Sequence, residues 1–77
     1  MGLKEKLSQW HGGQTSPTYA AASTMQAGRV PDAGIMASAI DELEDTLQYV
    51  TGAEDRRDLT QTIEDAKRYR ALLDRQN

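Results

Sequence analysis

Residues 32–76, DAGIMASAIDELEDTLQYVTGAEDRRDLTQTIEDAKRYRALLDRQ, decide the fold. Met36, Ile40, Leu43, Leu47 and Val50 alternate spacings of four and three, which lines them up along one side of an α-helix. Thr51-Gly52-Ala53 breaks the pattern, and Leu59, Ile63, Ala66, Tyr69 and Leu73 resume it as a second stripe. Asp32, after Pro31, is placed to cap the first helix, and Thr51 with Glu54 to form a capping box for the second. A turn this short forces the helices antiparallel. The pattern predicts a helical hairpin over 32–77, with helices at about 32–51 and 54–75. Its layers, counted from the turn, are Leu47 with Leu59, Leu43 with Ile63, Ile40 with Ala66, and Met36 with Tyr69 or Arg70.

Near the open end the apolar surface widens, because Ile35 and Ala39 join one helix and Leu72 the other. Two helices cannot cover that width. The N-terminal helix with Trp10, a second copy or a different protein must pack there.

Upstream, residues 1–31 read as an N-terminal arm. Leu3, Leu7 and Trp10 share one face of a short amphipathic helix over 2–10, which Gly12 and Gly13 stop. Ser16-Pro17 is an N-cap and first-turn pair, Ala20-Ala21-Ala22 favours helix, and Gly28 can close it in the left-handed conformation. A second short helix follows at about 17–27. It offers little large apolar surface, and so resembles an arm more than a core element. The expected fold is therefore all-α: an antiparallel helical hairpin preceded by an arm with one or two short helices.

Composition makes this a thin core. Leu, Ile, Val and Phe supply 12 of 77 residues, below the roughly 20% at which disorder becomes a concern, although the net charge of −3 is too small to complete that criterion. A chain this short buries only about 60% of the surface its unfolded form exposes. Folding then depends on regular helix packing or on a partner. With no cysteine, disulfides, thiolate metal sites and a cysteine nucleophile are excluded. There is no signal-peptide run, no membrane-length apolar stretch, and Lys6 stands where a myristoylation pattern wants Ser or Thr. The expectation is a soluble protein, cytoplasmic or part of a virion or other intracellular assembly, with no membrane contact.

Few residues suggest chemistry. The single histidine, His11, lies in a glycine turn without an identifiable partner, and reads as a helix-terminal cation instead of a general base. No catalytic residue is expected. Asp41, Glu42, Glu44 and Asp45 cluster on one helix, whereas hard-cation sites gather oxygens from a loop or from several elements, so neither metal nor cofactor is expected. The charge layout says more. Residues 32–55 carry seven acidic groups and no basic one, while 56–77 carry six basic groups against four acidic. Arg57, Arg68 and Arg75 lie opposite the second apolar stripe, with Glu64 among them and spaced to pair with Arg68. An acidic chain without a reading motif is not expected to bind nucleic acid, nor does −3 suffice to mimic it.

Trp10-His11-Gly12 spells the Trp-x-Gly tripeptide of a family of small secreted helical hairpins. That family places it in the hairpin turn, occupied here by Thr51-Gly52-Ala53, so the match is rejected. What remains is a non-catalytic protein acting through protein–protein contacts or self-association. The leading expectation is an assembly or structural subunit, as in phage or virion accessory proteins, contacting its partner through Leu7, Trp10, Ile35, Leu72 and Leu73. The alternative is a small acidic inhibitor or regulator of a host protein, whose binding face carries Asp41, Glu44, Asp45 and Gln48. The outer face of the first hairpin helix has no counter-charge on its own helix. A basic partner, or Lys4 and Lys6 of the same chain, would supply it.

Overall fold

Ser16 and Gly28 set helix ends through the preferences of their residue types. The computed structural model describes residues 2–75 as four α-helices and no strand: α1 (Leu3–Trp10), α2 (Pro17–Gln26), α3 (Ala33–Leu47) and α4 (Ala53–Arg75). Met1 and residues 76 and 77, the outer ends of the two predicted segments, lie outside the described residues. The all-α class, the hairpin and the two short preceding helices are as the sequence reads.

The start of α2 satisfies every backbone donor that its first turn leaves open. Pro17 has no N–H, the Thr18 amide donates to Glu42 Oε1 at 3.3 Å, and the Tyr19 amide donates to Ser16 Oγ at 3.0 Å. At its other end, Gly28 takes φ 77°, its amide donates to the Met25 carbonyl, and the Arg29 amide reaches back to the Thr24 carbonyl, both at 3.0 Å. This paired closure is the Schellman arrangement, and it needs a residue without a Cβ penalty at its left-handed position.

The hairpin turn differs from the expectation in two respects. Helix α3 ends at Leu47 instead of near residue 51, with the Tyr49 and Val50 amides drawn into tighter i to i−3 bonds. Helix α4 starts at Ala53, so Gly52 and not Thr51 occupies the cap position, and the Thr51–Glu54 box is out of register. Arg56 does the closing work. Its guanidinium donates to the Leu47 and Val50 carbonyls at 2.9 and 2.8 Å, placing a cation on the negative end of α3. At the start of α3, Asp32 is the cap residue by position, but its side chain makes no capping bond.

The core gathers Leu7, Ala21, Ala22, Met36, Ala39, Ile40, Leu43, Leu59, Ile63 and Ala66. Every member of both predicted stripes is buried or half-buried. Helix α1 packs on α2 and α4, α2 on α3, and α3 on α4, which closes the four helices into a ring around that core. The second short helix buries more than its sequence promised. Thr18 and Ala21 are fully buried and Ala22 nearly so, because small side chains let two helix backbones approach closely. Buried Thr18 donates its hydroxyl to the Ala39 carbonyl at 3.4 Å, and buried Thr62 to the Asp58 carbonyl at 2.9 Å. The radius of gyration, 11.7 Å, matches the value of about 11.5 Å for a compact domain of this length.

Candidate interaction surface

The predicted contact residues divide according to what the fold does with them. Leu7 is fully buried and belongs to the core, so it is not available to a partner. Trp10 is half-buried, with its indole Nε1 donating to Asp58 Oδ2 at 3.3 Å. Lys6, one turn before it on α1, donates to Asp58 Oδ1. Helix α1 is thereby clamped to the turn-proximal part of α4, and Trp10 does not cover the open end of the hairpin. Lys6 is also spent on Asp58 instead of on the acidic face of α3. Its ammonium holds the Asp58 carboxyl below the usual carboxylate range; partial burial opposes this, and the indole bond adds to the lowering.

The four predicted acidic-face residues, Asp41, Glu44, Asp45 and Gln48, are all exposed. The counter-charge missing from their own helix comes from α4. Glu44 Oε2 lies 3.4 Å from Lys67 Nζ. A groove of about 350 Å³ runs between the two helices, lined on α3 by Ala37, Ile40, Asp41 and Glu44 and on α4 by Lys67, Arg70, Ala71 and Asp74. Both linings follow the spacing i, i+3, i+4, i+7, one line of each helix. The groove therefore has one acidic wall and one mainly basic wall, with small or apolar side chains at its floor. Asp74 sits in the basic wall, 4.0 Å from Arg70 Nε.

Beside the groove, and sharing Ala71 with it, a second depression of about 270 Å³ is lined by Arg68, Leu72 and Arg75. Leu72 is 55% exposed. Ile35 and Leu73, at the same end of the hairpin, are half-buried against the core. Arg68 pairs with Asp65 at 3.2 Å, three residues before it, and not with Glu64 as the spacing suggested.

Other groups are occupied locally. His11 accepts the Gly13 amide on Nδ1 at 3.2 Å and meets the Tyr19 ring edge-on, with centroids 5.1 Å apart, which replaces the expected contact with the last carbonyls of α1. Glu42, counted with the acidic cluster in the sequence, faces inward to the start of α2. Among the described residues no three His, Cys, Asp or Glu side chains come together as a metal site, and no helix is long and apolar enough to cross a membrane.

The sequence reading missed Asp58, Arg56 and the Lys67–Arg70 wall. A signal for Asp58 existed: Lys6 and Trp10 are spaced i, i+4, so one carboxylate can serve both. Comparison with protein-family models, curated proteins and solved structures gives no match for the chain.

Proposed function

We propose that this protein is a non-catalytic assembly subunit that acts through protein–protein contacts, made by the surface of α3 and α4 remote from their turn. The observation that carries this reading is Leu72. It stands 55% exposed while the aliphatic members of both stripes are buried or half-buried. It also adjoins the groove, so a contiguous surface combines an apolar anchor, small residues at the floor and fixed charges around them. Interfaces of this make-up exclude water at the centre and hold register with charge at the rim. Val30 and Tyr49 are also exposed, but each stands in a connecting segment without such surroundings, which is normal for single surface apolar residues.

The acidic-regulator alternative rests on a weaker footing. Glu44 is paired with Lys67, which leaves Asp41, Asp45 and Gln48 as a smaller acidic patch than the sequence implied.

The test is site-specific photo-crosslinking in cells making the chain at native level. A photoreactive residue at position 72 is expected to give a discrete protein adduct, and one at the exposed position Arg57, outside this surface, none. The absence of an adduct from position 72, or equal adducts from both positions, contradicts the reading.

A further inference from the structure

We propose that the groove between α3 and α4 is the self-complementary face of a two-fold homodimer, whose axis runs along the groove. This rests on the reading of that surface as a protein contact and identifies what occupies it: a second copy of the chain.

Charge and symmetry together point to a second copy. The walls carry opposite signs, Asp41 and Glu44 on α3 against Lys67 and Arg70 on α4. A foreign partner of either single sign would meet one wall of its own charge, and like charges brought together at an interface are strongly disfavoured. The groove requires a partner that is basic along one side and acidic along the other, with the same spacing. The chain itself presents that surface.

Symmetry then selects the arrangement. A two-fold contact brings the same patch on both copies together. With the axis parallel to the helices, rotation exchanges the walls and preserves height along them. Each α3 then faces the other copy's α4, and acid faces base. With the axis perpendicular to the helices, α3 would face α3 and acid would face acid. Only the first is complementary. Glu44 comes level with Lys67, its neighbour across the groove at 3.4 Å, and the linings on the two helices follow one spacing, so Asp41 comes level with Arg70. Asp74, the carboxylate within the basic wall, then comes level with Ala37, the uncharged end of the acidic wall. Lys67 has three N–H donors and can serve the Glu44 of its own chain and of its copy together. The alanines at positions 37 and 71 keep the floor low enough for two helix pairs to approach.

The experiment is native mass spectrometry with light scattering, at low ionic strength, on full-length wild type and two charge-reversed chains. One carries Asp41→Lys with Glu44→Lys, and the other Lys67→Glu with Arg70→Glu. All four positions are exposed, and circular dichroism verifies that each variant is folded. Wild type is expected to dimerise. Each reversed chain, having two walls of one sign, is expected to lose the dimer. Mixed in equal amounts, they are expected to form a one-to-one heterodimer. A third variant, Ala71→Trp, fills the floor without altering charge and is expected to lose the dimer with its helicity intact, which supplies the answer should a reversed chain not fold. Wild type monomeric at every concentration, reversed chains that dimerise like wild type, a mixture that does not associate, or a dimer unaffected by Ala71→Trp would overturn the proposal. A position-72 crosslink to a different protein, with wild type monomeric, would overturn the homodimer while leaving the contact surface itself in place.

Discussion

Asp58 concentrates the polar attachment of α1 to α4 in one side chain. Lys6 and Trp10 both donate to it, and its carboxylate and the Lys6 side chain keep one third and about one fifth of their surface in solvent (33% and 22%). Because the folded state lowers the Asp58 pKa beneath the ordinary aspartate value of 3.8, the unfolded chain binds the proton more readily at acid pH. Its contribution is fully present above that value and is lost as pH falls through the lower folded pKa. Acid titration followed by Trp10 fluorescence should therefore show α1 loosening on the acid side of 3.8. In Asp58→Asn that component of the transition should be absent and the neutral-pH fluorescence already shifted. An unchanged titration in Asp58→Asn would show that the carboxylate does not hold α1. None of this pairing is readable from Asp58 alone, since it joins residues 52 positions apart.

Among the elements, α2 shows where reading by periodicity stops. Its ends were legible: Ser16, Pro17 and Gly28 each perform the role that their type implies. Its burial was not, because Thr18, Ala21 and Ala22 carry no large apolar signature, and close helix approach depends on what the neighbouring helix presents. The hairpin was legible in its stripes, while its turn was not. Thr51 and Glu54 form a locally plausible box, but α3 stops four residues earlier than expected and Arg56 binds its last carbonyls. The two ends of α2 give a paired prediction. Ser16→Ala removes the acceptor of the Tyr19 and Gly12 amides and should cost about 1 kcal/mol. Gly28→Ala meets no atom within 4 Å, so its cost is conformational alone, roughly 1–2 kcal/mol for φ 77°. Urea unfolding of both variants checks these values; a neutral Gly28→Ala would show that the left-handed closure is absent in solution.

For the whole molecule, the thin apolar inventory is offset by placement. The two short helices close over the hairpin, and no buried side-chain donor or acceptor among the described residues lacks a partner. At the widening apolar surface, α2 packs on α3 where Ala39 is fully buried, while Leu72 stays 55% exposed. Of the three candidates for that cover, the N-terminal helix with Trp10 docks elsewhere, because the point at which α1 packs is fixed by Asp58 in three dimensions. The acidic face was legible as a charge run, and its counter-charge was not, since Lys67 and Arg70 reach the groove only through the register of the folded hairpin.

The four helices gather one core within the chain, and Leu72 stays exposed at the end proposed to meet a partner. Light scattering coupled to size exclusion, with helicity read on the same samples, tests this on wild type, Leu43→Asp and Leu72→Asp. Leu43 is fully buried, so an unpaired carboxylate there costs several kcal/mol, comparable to the entire stability of roughly 4–12 kcal/mol for a chain of this length. That variant should lose its helicity. Leu72→Asp should keep wild-type helicity and lose association. If Leu72→Asp unfolds as Leu43→Asp does, or associates as wild type does, Leu72 is not the anchor of a partner contact.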